Sequence, residues 1–421
     1  MSRLFSNLEL NGARLNRKPG SVLGCTALVA GTTVGAGILA LPAVTLPSGL
    51  LPSTMTLIVV WLYMVASGLL LTEVNVHTTR QLGRPGLGLL ATTRHTLGSF
   101  GAHTAGILYL FIHYALLVAY MSRGGDILAV AIAQAGLLQA VPPAWLGVGI
   151  FAVLFGGLLY FGSDRLVGTL NSAFVAIVIV SFTGLLALTL ADINPSQLLT
   201  QNWQAVSVAI PVMFVALVYQ NVVPVITHQL EGDVKKIRQS ILVGSAIPLI
   251  MFLAWNAAIL GCVNLELAQA ASNDIIFDPL EALRSSADKP WLGALISVFS
   301  EFAVVTSFIG FVYGLLNFWG DAFEIQPDDN VQRLPLYGLV LLPPLGLSVL
   351  NPSIFLEALD YAGAFGMSVL FGIIPATMAW KQRYQNQNLS TMSASPLVPG
   401  GKMTLIAMIG VSIGVITEHV V

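Results

Sequence analysis

Two groups of residues in this chain have the types and spacing to do chemistry. The first is Ala30-Gly31-Thr32-Thr33-Val34-Gly35-Ala36-Gly37-Ile38, set within an apolar run and followed by Pro42 and Pro47. Glycine and proline are the poorest helix formers, so the segment is expected to unwind near its middle. Unwinding frees peptide N–H and C=O groups that hydrocarbon cannot satisfy, and such groups persist only where they line a protected cavity or hold a solute. Gly35 and Gly37 would let a ligand approach the main chain. The half-helix restarting near Ile38 would aim its first amides and positive dipole end at an anion such as a carboxylate. Thr32, Thr33 and Ala36 complete that expected cradle. Close helix packing across small residues is the alternative reading of the same glycines.

The second group is ionisable: Glu73, His113, Arg123, Asp126, Glu301, Glu357 and Asp360 all lie in or at the ends of apolar runs. Charges in such surroundings are costly and mark function. Arg123 and Asp126, three apart, can pair on one helical face as a structural or gating pair. Glu301 and His113 are the candidates to carry protons. Imidazole titrates near neutral pH, and Glu301 precedes the Thr306-Ser307 pair by about one turn. Glu73 and Glu357 stand near the ends of their runs, within reach of water. For an aromatic partner, Tyr114 and Tyr120, and Phe214 and Tyr219 with the small Ala216 between them, offer flat apolar area. Tyr120 is the preferred contact.

The elements that must position these residues follow from composition. The chain has 421 residues, 56% hydrophobic and 9% charged, where ordinary globular domains carry about 25% charged residues. It belongs in a bilayer. At about 20 apolar residues per span, windows of hydropathy place eleven spans near 22–46, 52–76, 104–130, 143–161, 168–190, 205–226, 240–262, 291–318, 334–350, 354–379 and 402–418. The stretches 77–103, 264–290 and 381–401 are too polar to cross; the first reads as partly interfacial helix and the last as a flexible linker. Residues 1–20 form a cytoplasmic tail without a cleavable signal, and 21–421 a single integral domain. Most Lys and Arg residues fall in one set of alternating loops, whereas the other set holds only Arg284 and Lys289. This places the N-terminus inside and, with an odd number of spans, the C-terminus outside.

Span 6 carries Pro211 and Pro224 around Phe214–Asn221. It comes five spans after span 1, so the two occupy equivalent places in halves covering about 21–191 and 204–380, with an extra helix at 402–418. Inverted-repeat transporters are built this way, with a site near the membrane midplane. Gln220 and Asn221 suit either that site or plain interhelical hydrogen bonds. A pore would need rings of charge or a filter loop, a nucleotide-driven pump a Gly-x-x-x-x-Gly-Lys phosphate loop, and an intramembrane enzyme a cluster of nucleophile and base. None of the three is present in the sequence. A net charge of −2 without any basic-aromatic block argues against nucleic acid as a partner. Cys25 and Cys262 support neither a disulfide framework nor a thiolate metal site.

Gly31-Thr32-Thr33-Val34-Gly35-Ala36-Gly37-Ile38-Leu39-Ala40-Leu41-Pro42, with Tyr114-Ala115-Leu116-Leu117-Val118-Ala119-Tyr120 in span 3 and Thr306-Ser307-Phe308-Ile309-Gly310 in span 8, resembles the bacterial tryptophan/tyrosine permease family of the amino acid/polyamine/organocation superfamily. The resemblance covers residues 20–418. It implies an all-α polytopic fold of five plus five inverted-repeat helices and an eleventh, with spans 1 and 6 discontinuous. It also implies import of an aromatic amino acid driven by an ion gradient, usually of protons. A bacterial inner membrane, a monomer and no cofactor are the expectations set beside it. Where the family has Thr-Ser-Phe-Gly-Phe-His in span 6, this chain has Val215-Ala216-Leu217-Val218-Tyr219-Gln220. Substrate and coupling ion therefore stay open. In sodium-coupled relatives of this fold a cation lies between the broken first helix and a hydroxyl pair in span 8. The resemblance so implies the carbonyls of Gly31, Val34 and Ala303 and the hydroxyls of Thr306 and Ser307 as its ligands. Those hydroxyls can equally bond back to carbonyls one turn earlier. Some proton-coupled relatives place a span 5 lysine there instead, and 168–190 contains none. A passive pore or a permease for a non-aromatic amino acid is the alternative function.

Overall fold

The computed structural model describes residues 4–11, 14–17, 19–35, 37–134, 142–263, 279–284, 290–323, 330–385 and 396–420. The membrane body is helical throughout. The principal helices are α1 (Val22–Thr33), α2 (Gly37–Thr45), α3 (Leu50–Leu82), α4 (Leu89–Gln134), α5 (Ala144–Phe161), α6 (Asp164–Thr189), α7 (Ile210–Ala216), α8 (Val223–Gln229), α9 (Val234–Cys262), α10 (Pro290–Phe323), α11 (Asn330–Leu350), α12 (Phe355–Gln385) and α13 (Gly401–Val420). In front of them, β1 (Leu8–Asn11) and β2 (Arg14–Arg17) form an antiparallel hairpin that pairs Leu8 with Arg17. No strand was expected in the tail.

Local chemistry sets several boundaries. Ser21 caps α1 by accepting from the Gly24 amide at 2.9 Å, Ser163 caps α6 through Leu166, and Asp233 caps α9 through Lys235 and Lys236. Such side chains take up amides that a helix start leaves unbonded. Pro211 and Pro224 each stand in the first turn of their helix, the position where a missing N–H costs nothing.

Among the described residues nine helical stretches are long and apolar enough to cross a membrane, and α1 with α2, bent by 51°, counts as a tenth. Leu334–Leu350 within α11 is a shorter apolar helix. The expected polar gap at 77–103 is narrower in the structure. Helix α3 runs on to Leu82, and α4 starts at Leu89 with its path broken at Gly98, where φ is 83°. The expected linker at 381–401 is also shorter, because α12 continues to Gln385. The expected 264–290 loop lies largely outside the described residues.

Helix α10 lies against α4 and α6, and α9 against α1 and α3. Trp255, Phe299, Phe308, Phe151 and Phe252 fill the interior. Leu23, Phe161, Leu350 and Met403 face outward, as hydrocarbon-facing side chains do in a bilayer protein. Small residues let helices meet closely: a β-carbon on Gly125 would fall 2.5 Å from the Val148 Cα, at the α4–α5 crossing. Residues 362–373 of α12 are wound in wider π-type turns, a form that recurs at functional sites.

Candidate functional site

Helix α1 ends at a bond from the Val34 amide to the Ala30 carbonyl (3.1 Å), and α2 opens with Ile38 N–H donating to the Gly35 carbonyl (3.1 Å). Val34 is extended, at φ −78° and ψ 105°. The carbonyls that follow Ala30, those of Gly31 and Val34 included, thus lie past the helical ladder, and the first amides of α2 lie before the next one. Ala36 falls outside the described residues. The hydroxyls of Thr32 and Thr33 donate back to Leu28 and Val29 at 2.7 and 2.8 Å, which leaves their lone pairs free to accept.

The second interruption faces the first. Helix α7 stops at Ala216, Tyr219 has non-helical angles (φ −148°, ψ 0°), and α8 restarts at Val223. A β-carbon on Gly37 would sit 2.6 Å from the Ala216 Cα, so α2 and α7 touch backbone to backbone at their broken ends. On the opposite side, a β-carbon on Gly35 would lie 2.6 Å from Ser307 Oγ. Ser307 donates to the Ala303 carbonyl (3.0 Å), and Thr306 donates to Phe302 and Ala303 (3.0 and 3.1 Å). The side chains of Ser307 and Tyr120 are hydrogen-bonding neighbours. Tyr120 is buried, with its ring edge-on to Phe311 at 5.5 Å. Gly35, Ser307 and Tyr120 therefore meet at the break in span 1, with Ala303 and Thr306 in the same turn of α10.

Other candidates stand elsewhere. The Tyr219 hydroxyl donates to the Met64 carbonyl (3.1 Å), which also accepts from Gln220 Nε2 (3.1 Å). Phe214 stacks on Tyr63 at 5.2 Å. Both rings point toward α3. Tyr114 donates to Leu339 O (2.9 Å) and accepts from Trp319 (3.1 Å). His113 is buried, stacked on Tyr109 at 3.8 Å with Nδ1 on the Tyr109 carbonyl, and reaches Tyr120 only through Phe311. Neither carboxylate oxygen of Glu301 has a hydrogen-bond partner among the described residues, nor does the hydroxyl of Ser300 beside it.

Arg123 and Asp126 do pair, at 3.8 Å. Arg383 holds Glu73 through Nε (2.6 Å) and Nη2 (2.7 Å), and the Leu397 amide adds a third donor at 2.9 Å. His419 Nε2 meets Asp360 at 2.5 Å. Sequence reasoning missed Phe311. Its position four residues after Ser307, on the same helical face, was the available signal.

An apolar bundle crossed by two interrupted helices that abut at Gly37 and Ala216 defines a multi-pass membrane protein. The tryptophan/tyrosine permease family model matches residues 18–419, and the chain belongs to that family. It is 30% identical over 392 residues to tyrosine-specific transport system 1 of Haemophilus influenzae, covering 92% of this chain and 93% of that one. It is 27% identical to the tryptophan-specific transport protein of the same organism, over 95% and 98% of the two chains. To the low affinity tryptophan permease of Escherichia coli it is 26% identical, over 88% and 90%.

Proposed function

We propose that this protein imports an aromatic amino acid across a bacterial inner membrane by ion-coupled symport with alternating access. The N-terminus would lie in the cytoplasm, and the helices would form five plus five inverted repeats with α13 outside them. One observation carries the reading: the unwound segment at Gly35 touches Ser307 and, through it, Tyr120. The names of the relatives supply the substrate class, tyrosine or tryptophan.

The substrate carboxylate would rest against the main-chain amides at the start of α2, where Gly35 and Gly37 leave the main chain accessible and the helix dipole is favourable. Its ring would lie by Tyr120. A group that binds in mid-membrane without side-chain charge suits a zwitterion, because main-chain dipoles and half-helix ends answer both termini.

Coupling by a proton at Glu301 is supported by that carboxyl group's lack of partners, since a charge enclosed without one is expensive. The oxygen set of Gly31, Val34, Ala303, Thr306 and Ser307 supports sodium instead: hard oxygen ligands suit a small cation. Uptake of labelled tyrosine and tryptophan by proteoliposomes under imposed proton or sodium gradients separates the two. Saturable uptake driven by one gradient is the expected result. No uptake of any amino acid under either gradient overturns the proposal, and flux that does not saturate points to a pore.

A further inference from the structure

The tail that precedes α1 is folded back onto the turn between α8 and α9. The Leu4 amide donates to the Glu231 carbonyl at 2.8 Å, and the Asn7 amide donates to Glu231 Oε1 at 2.9 Å. Asn7 Nδ2 donates to the His228 carbonyl at 3.0 Å and reaches that of Gln229 at 3.5 Å. The Leu4 side chain covers Gly232, where a β-carbon would fall 2.7 Å from Leu4 Cδ1, and the Phe5 ring lies 5.6 Å from that of His228. After the β1–β2 hairpin the chain returns to the same turn. The Gly20 amide donates to the Gln229 carbonyl at 2.9 Å, and Cys25 Sγ donates to Gln229 Oε1 at 3.2 Å.

The turn is shaped for this occupant. Glu231 is 2% exposed and is the described non-glycine residue with positive φ, at 55°, followed by Gly232 at 71°. A left-handed glutamate is unfavourable on its own. Here its carbonyl and carboxylate both point at donors supplied by residues 4–7. Because Gly20 precedes α1 and Cys25 lies in its first turn while His228 and Gln229 close α8, the tail bridges the start of the first interrupted span and the end of the second. Those ends cannot part without breaking its hydrogen bonds.

We infer that the turn His228–Asp233 is a docking site for the chain's own residues Leu4–Asn7, a latch that holds α1 and α8 together and seals this face of the protein. The inference concerns closure alone and does not need the substrate assigned above.

Cys25, fully buried beside Gln229, reports on the latch once Cys262 is replaced by serine. In membranes carrying the full-length C262S protein, Cys25 should react slowly with a permeant maleimide. Removing residues 2–7 should raise that rate about tenfold, and Asn7→Ala by a smaller factor, as expected for loss of a few hydrogen bonds that hold a closed conformation. A synthetic peptide of residues 1–8 added to the truncated protein should restore protection. Rates within about twofold of the parent for both variants would overturn the latch. Acceleration that the peptide does not reverse would also overturn it, since that result marks loosening of α1 rather than an emptied docking site. The readout is independent of transport, so failure to carry aromatic amino acids would leave the result interpretable.

Discussion

A β-carbon placed on Gly35 would lie 2.6 Å from Ser307 Oγ but 3.7 Å from Ser307 Cβ. The contact is thus made by a single oxygen atom against bare main chain. Overpacking by one methyl group costs about 1–3 kcal/mol, and Gly35→Ala is expected to lower the initial rate of amino acid uptake about tenfold at equal membrane abundance. Removing the oxygen leaves an ordinary van der Waals distance. Gly35→Ala combined with Ser307→Ala should therefore recover uptake relative to Gly35→Ala alone, and an additive double variant would contradict the contact.

Tyr120 and Tyr219 should separate in kinetics. Tyr120→Phe removes the hydroxyl beside Ser307 and should raise KM for tyrosine or tryptophan by about three- to tenfold, the worth of one hydrogen bond. Measuring KM and maximal rate separately in proteoliposomes tests this, and an unchanged KM counts against Tyr120 as part of the site.

For Tyr219 the expected effect is on stability. Met64 O keeps its bond from Gln220 when Tyr219→Phe removes the other, so the loss should be about 1 kcal/mol or less. Gly68→Ala should cost more, about 1–3 kcal/mol, because its β-carbon would fall 2.5 Å from the Tyr219 hydroxyl. Thermal unfolding in detergent should rank parent, Tyr219→Phe and Gly68→Ala in falling order.

Glu301→Gln keeps the shape of the side chain and removes its titration. If Glu301 carries the coupling proton, the variant should still exchange labelled for unlabelled substrate across the membrane while losing accumulation driven by a proton gradient. Retained proton-driven accumulation would exclude that role.

The pair of Glu73 and Arg383 is largely enclosed, with side chains 19% and 9% exposed. Removing one partner leaves the other charge unanswered at a cost of about 3 kcal/mol. Glu73→Ala should lower the unfolding temperature markedly, and adding Arg383→Met should restore part of the loss. The Leu397 amide, bound to Glu73 at 2.9 Å, should exchange its hydrogen faster in Glu73→Ala.

The sequence alone determined what depends on local chemistry and on the solvent the chain must live in. Apolar content dictates a bilayer. Glycines at 31, 35 and 37 make the first span fail near Val34, and Pro224 makes span 6 restart where it does, because helix propensity acts within a few residues. The position of Ser307 four residues after Ala303 was legible for the same reason. Tertiary structure decided where side chains go once helices far apart in sequence meet. The Tyr219 hydroxyl bonds to a residue 155 positions away, and Asn7 to one 224 away. Such partners are chosen by how segments far apart in the chain pack together, and no run of neighbouring residues encodes that. Ser307 became part of the site in this way: its hydroxyl bonds back within α10 as many do, and only the approach of a bare Gly35 and a buried Tyr120 sets it apart.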